Sequence, residues 1–210
     1  MTLRFLAVVA LILGAAALLG YLNLIGKGPL ASPALRHLRL MKDRMVAPDS
    51  VTQIGLPAIQ ALPRGATLAD YAPLERRGVS IDGYVQRMAR AMDDDVHLEV
   101  VTASRGETGR DSAYVTAEVT PVWRRHSLRW SYGALAAAFR PNHGSRTPWD
   151  GGPRRVRISG WLLYDFQNVS DPSAWSLAES SPRVSGWEIH PVTRIELWDE
   201  ASHGFVDYAR

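Results

Sequence analysis

The chain has 210 residues, 46% of them hydrophobic, with seven tryptophans, 13 prolines and a formal net charge of +3 at pH 7. That length suits one packed domain with an additional segment and is short for two, while the small positive charge permits a polyanionic partner without demanding one. The absence of cysteine excludes disulfides and thiolate chemistry, so any metal site must use histidine, carboxylate, carbonyl or water.

From Phe5 to Leu22 the chain carries no charge and is dominated by Leu, Ala, Val and Ile, with Arg4 before it and Lys27 after it. A bilayer core is crossed by about 20 such residues. Ala15-Ala16-Ala17 would suit a signal peptidase, but the apolar run continues through Leu18, Leu19 and Leu22, which favours an uncleaved anchor over residues 1–26. Arg4 favours a cytoplasmic N-terminus and an exported, periplasm-facing domain. Lys27, Arg36, Arg39, Lys42 and Arg44 pull toward the opposite orientation.

Residues 27–74 read as an amphipathic helix and a connector. Ser32-Pro33 predicts an N-cap and a first-turn proline, followed by Leu35, Leu38, Met41 and Met45 on one face. Pro48, Pro57, Pro63 and Pro73 then break up any long element.

Residues 75–210 have the texture of a β domain. Val79, Ile81 and Val85 alternate with polar residues, with Gly83 predicted as a kink or bulge. The runs Val96–Val101 and Tyr114–Val119 flank Gly106 and Gly109 and predict a hairpin. The alanine-rich stretch Ser131–Phe139 predicts a two-turn helix. Strand texture returns at 156–163 and 187–197, after loops at 141–153 and 167–185 respectively. Five strands with a helix between the third and fourth is the order of an OB-like barrel, mainly β, preceded here by a transmembrane helix.

Two stretches of this domain carry ionisable groups at every second position. In a strand, alternate residues share a face. Asp93, Asp95, His97 and Glu99 therefore point one way and Val96, Leu98 and Val100 the other, while Glu188 and His190 alternate with Trp187 and Ile189. Carboxylate oxygens beside imidazole nitrogens suit a divalent cation such as Mn, Zn or Mg, which makes Asp93, Asp95, His97, Glu188 and His190 the candidate metal ligands. The competing readings are a solvated acidic turn at Asp93–Asp95, and a core histidine before a proline that marks a bulge or an edge. Glu118, in the third candidate strand, is placed near His97 or Glu99 if the second and third strands pair. Clustered carboxylates would then need neutralising by a cation or by arginines, of which Arg155, Arg157 and Arg194 are available. Trp187, Arg157 and Arg194 are the candidate ligand-binding residues, an aromatic ring for stacking and two guanidinium groups for charge. The triplet Asn168-Val169-Ser170 has the form of a glycosylation acceptor.

With these residues in hand, the chain resembles a group of uncharacterised, mostly exported bacterial proteins that share an Asp-x-Asp-x-His-Leu strand start, a Gly-x-x-x-x-Asp-Phe stretch and an acidic residue followed by a spacer and His-Pro-Val. Here these are Asp93, Asp95, His97 and Leu98; Gly160, Asp165 and Phe166; and Glu188, His190, Pro191 and Val192. The resemblance spans about residues 79–198. It implies a common small β-rich fold and one shared site for the first and last stretches. From the residues themselves, the two polar rows are expected on adjacent strands of one closed sheet. A more distant likeness is to staphylococcal-nuclease-like proteins, in which acidic residues at a strand start of a small barrel hold calcium. The arginines and glutamate that complete that site have no matching motif here.

The expectation from sequence is a membrane-anchored, OB-like barrel that binds an oligonucleotide or oligosaccharide through its Asp/His/Glu face. A divalent-metal phosphodiesterase and a non-catalytic envelope scaffold are the alternatives.

Overall fold

A computed structural model describes residues 3–103, 113–141, 152–168 and 183–209 in two units, Met1–Asp43 and Arg44–Arg210. Helix α1 (Leu3–Leu24) of the first unit contains 20 residues, Phe5–Leu24, that are long and apolar enough to cross a membrane, a property a signal sequence shares. Helix α2 (Pro33–Lys42) begins as predicted, with Pro33 in its first turn and the Ser32 hydroxyl accepting from the Leu35 amide at 3.2 Å.

The second unit is built from seven strands among the described residues: β1 (Val51–Gln53), β2 (Gly78–Arg90), β3 (Val96–Val101), β4 (Tyr114–Val119), β5 (Arg155–Tyr164), β6 (Arg183–Asp199) and β7 (Gly204–Asp207). They run in the order β1-β2-β3-β4-β6-β5, and β5 pairs back with β2 to close a barrel of five. All barrel pairings are antiparallel except β4 with β6, which is parallel. The helix Tyr132–Phe139 lies between β4 and β5 as expected, capped by the Ser131 hydroxyl. A closed five-stranded barrel with this order and this helix is the OB arrangement. Strand β1 adds to β2 in parallel and β7 adds to β6.

Alternation explains the barrel. Val96, Leu98 and Val100 stand opposite Val119, Ala117 and Val115, and these six join Val79, Ile81, Val156, Ile158, Leu162 and Ile189 in one core. Burying each such side chain fully contributes about 1.5–3 kcal/mol. Helix Tyr132–Phe139 adds Leu135, Ala136, Ala138 and Phe139 to the same core. The polar partners of this alternation, His97, Glu99, Thr116, Glu118 and Glu188, stand on the opposite, outer face.

Three expectations change. The Pro-rich segment is part of the barrel unit: β1 joins the sheet, and Ile54, Ile59 and Tyr71 are core residues. Its prolines interrupt regular structure without preventing apolar side chains between them from packing. Second, β2 is bulged between Val85 and Arg87, not at Gly83. Gly83 is required instead for close approach, since a Cβ there would collide with the Val101 carbonyl oxygen. Third, the loop glycines Gly106 and Gly109, residues 142–151 and most of loop 167–185, including Val169 and Ser170, lie outside the described residues.

Gly160 has the same role as Gly83 at the β5–β6 contact. A Cβ on it would strike the Pro191 carbonyl oxygen and stand 2.8 Å from Ile189 Cγ2. The register shifts on both sides of Gly160 place the predicted proline bulge at this point. Gly160→Val should therefore destabilise the fold by roughly 1–3 kcal/mol or more, read as a lower urea midpoint with unchanged slope.

Candidate functional site

The outer face of β3, β4 and β6 gathers one cluster of ionisable side chains. In the register of β3 with β4, His97 faces Glu118. In the parallel register of β4 with β6, Thr116 aligns with Glu188 and Ala117 with Ile189, which brings Glu118 level with His190. The side chains follow this geometry. Glu118 Oε1 lies 3.1 Å from His97 Nε2, and Glu118 Oε2 lies 2.8 Å from His190 Nδ1. Glu188 Oε1 is 3.3 Å from His190 Nδ1, and Asp95 Oδ2 is 3.9 Å from His190 Nε2.

The cluster is buried. Glu188 is 0%, His190 1%, Glu118 2% and Asp95 6% exposed, and only His97 reaches the surface. Three carboxylates withdrawn from water need compensation. Arg183 supplies part of it, through a 2.7 Å ion pair with Glu188 Oε2. His190 supplies more. Burial by itself would lower the imidazole pKa, but Glu118 and then Glu188 outweigh it and hold the value up at about 10. Burial also raises Asp95 to about 6; His190 works against this rise, and Glu118 adds to it.

Among the described residues, neither ring nitrogen of His190 makes a hydrogen bond of good geometry, nor does Glu188 Oε1. His190 thus approaches two carboxylates closely, as an ion pair, without hydrogen bonds to fix its ring. Asp95, Glu118 and His190 each offer a donor atom within 4.8 Å of the others.

A neighbouring polar patch continues along β2 and β4. The β2 bulge at Gln86 lets two successive residues reach one carboxylate: Gln86 Nε2 donates to Glu99 Oε2 at 3.1 Å, and the Arg87 guanidinium stands 3.9 Å from Glu99 Oε1. Arg87, Ala89, His97, Glu99, Tyr114 and Thr116 line a cavity of about 30 Å³. That is room for one or two water-sized occupants.

The sequence-predicted residues divide cleanly. Asp95, His97, Glu188 and His190 meet in the cluster, although on strands separated by β4 and not on adjacent ones. Asp93 is exposed and does not join them; its Oδ1 accepts from the Asp95 amide at 3.3 Å, as an acidic turn residue does. Trp187, expected to display its ring to a ligand, is fully buried in the core, with Nε1 donating to the Pro63 carbonyl at 2.8 Å. Alternation sends it inward, because its neighbour Glu188 points out. Arg157 forms a two-bond pair with Asp82 at 2.6 and 2.9 Å and stacks over Phe205. Arg194 pairs with Glu196 and Asp207. Both are committed to other carboxylates, and the arginines that serve the cluster and its rim are Arg183 and Arg87. Glu118 is the central residue. Its signal was its place in the alternation of Tyr114–Val119, while Arg183 gave none because its strand begins in a Ser- and Pro-rich stretch.

The fold and this outer polar face define an OB-type barrel domain with a buried Asp/Glu/His cluster. No protein-family model and no curated protein matches the chain. Among solved structures, the chain is similar to the asparaginyl-tRNA synthetase of Entamoeba histolytica, at 14% identity and a TM-score of 0.34, covering 70% of this chain. The match spans 23% of that enzyme's length.

Two outcomes follow from the cluster. Glu118→Gln removes the charge between the two histidines and should cost roughly 3–5 kcal/mol, measured by urea unfolding at pH 6. The folded-state pKa of His190 lies above its ordinary 6.5, so its stabilisation is complete below 6.5 and is lost as pH rises toward about 10. Asp95, raised from 3.8 to about 6, binds its proton more tightly folded than unfolded, so its contribution also declines as pH climbs through that window. Melting temperature in the presence of a chelator should fall from pH 6.5 to pH 10, and His190→Gln should flatten that decline.

Proposed function

We propose that the chain is a membrane-tethered OB-type binding module, anchored by α1, that presents the face of β3 and β4 to a hydroxyl-rich ligand such as an oligosaccharide. One observation carries this reading. Five ionisable side chains from three strands and the β2–β3 turn converge on the outer face of the barrel strands that OB domains use for oligonucleotides and oligosaccharides. A barrel serving as a spacer has no need to hold carboxylates and imidazoles out of water there. His97, which reaches the surface from this cluster, and Arg87 beside it at the small cavity can exchange hydrogen bonds with sugar hydroxyls. Exposure of the domain outside the cell is supported by the resemblance to exported bacterial proteins and by Arg4 ahead of the apolar helix.

A second reading, divalent-metal phosphodiester hydrolysis, draws on the donor atoms of Asp95, Glu118 and His190 lying within 4.8 Å of one another. A cation there would attract phosphate and activate water, with the surface-reaching His97 as the group nearest to a substrate.

The full chain in detergent, titrated with chitohexaose and separately with a twelve-nucleotide oligothymidylate, separates these. The binding module predicts saturable oligosaccharide binding, weakened at least tenfold by His97→Ala. Oligothymidylate binding or cleavage that requires added Mn²⁺ would transfer the assignment to the phosphodiesterase. A folded protein inert to both probes would leave a scaffold and overturn the proposal.

A further inference from the structure

His190 is a buried imidazole, 1% exposed, with both ring nitrogens unsatisfied by hydrogen bonds among the described residues. A buried imidazole normally satisfies at least one nitrogen, because an unpartnered buried polar atom is costly. Both nitrogens instead face carboxylates: Glu118 and Glu188 on the Nδ1 side, and Asp95 on the Nε2 side. Glu188 Oε1, 3.3 Å from His190 Nδ1, is buried and likewise makes no hydrogen bond among the described residues.

We propose that Asp95, Glu118 and one ring nitrogen of His190 bind a divalent transition cation, Zn²⁺ or Mn²⁺. The donor atoms of these three residues lie within 4.8 Å of one another. Ligands held at about 2.0–2.2 Å from a shared ion stand roughly 3.4 Å apart in a tetrahedron, so the donors draw together from their present spacing when the ion binds. One imidazole with carboxylate oxygens is a borderline donor set, which suits Zn²⁺ and Mn²⁺ better than Ca²⁺, whose six to eight ligands are all oxygen.

The surroundings fit such an ion. The chain has no cysteine to compete for it. Glu118 also contacts His97 through its other oxygen, and Glu188 contacts Arg183 through its other oxygen. These contacts orient the ligand Glu118 and its neighbour Glu188, as partners outside the ligand set do at metal centres. Asp95 ends the turn that leads into β3, Glu118 lies on β4 and His190 lies within β6. The ion would thus tie β3, β4 and β6 together at one level.

This inference deepens the proposed binding face by naming a cation as an occupant of its floor, and it is tested separately from any sugar or nucleotide. The full chain in detergent is stripped with a chelator and dialysed, then titrated with ZnCl₂ and with MnCl₂ by calorimetry, with bound metal counted by elemental analysis. The expected result is one ion per chain. Asp95→Asn and His190→Gln should each weaken binding at least tenfold, while Glu200→Gln, an exposed residue, leaves it unchanged. Asp95→Asn lies at the margin of the cluster and keeps the test valid if His190→Gln fails to fold. Co²⁺ loaded into the wild-type protein should show visible absorption of a low-coordinate nitrogen and oxygen site. No stoichiometric binding by folded wild-type protein, or binding that survives both substitutions, overturns the proposal. Loss of oligosaccharide binding with metal binding intact would overturn only the proposed ligand.

Discussion

A single carboxylate, Glu118, links the two polar rows of this barrel. Its strand, β4, lies between β3 and β6, and the two registers set His97 on one side of it and His190 on the other. Each oxygen contacts one imidazole. The antiparallel β3–β4 pairing and the parallel β4–β6 pairing are both necessary for this, since a one-residue slip in either would turn the row to the opposite face. Closure of the barrel and convergence of the site are therefore one constraint. Gly160 takes part in it from the far side of β6, where its missing side chain admits the Pro191 carbonyl and with it the bulge that follows His190.

Placing charge in a buried position on the outside of a barrel is costly unless the groups satisfy one another. The cluster is balanced in part by Arg183 and by the raised proton affinity of His190. Good hydrogen-bond geometry is nevertheless lacking at His190. A proton on the imidazole supplies positive charge to the cluster, and a metal ion at the same place would supply more charge with better-defined directions. The choice between these occupants decides whether the site is a structural ion network or the floor of a functional one.

Much of the architecture is legible in the sequence because the barrel strands keep a strict alternation. Val96, Leu98 and Val100 announce an inner face, His97 and Glu99 an outer one, and the alanine-rich run after Ser131 announces the helix. The same rule explains the failure at Trp187, where a large ring suggested display while its position beside Glu188 sent it inward. Partner choice was less visible. Arg157 and Arg194 were available by composition, but which carboxylate an arginine meets depends on register between strands distant in the chain, and Asp82, Glu196 and Asp207 claimed them. The short strands β1 and β7 carry too few alternating residues to register as strands. The prolines of residues 47–74 likewise concealed the apolar side chains Ile54, Ile59 and Tyr71, which complete the core.

The measurement that bears most directly on this account is an anomalous-scattering map from crystals of the protein grown with Mn²⁺. The account predicts one peak at about 2.0–2.3 Å from donor atoms of Asp95, Glu118 and His190, with His97 still bonded to the outer oxygen of Glu118. A map with no peak there and the His190 ring hydrogen-bonded between Glu118 and Glu188 would contradict it.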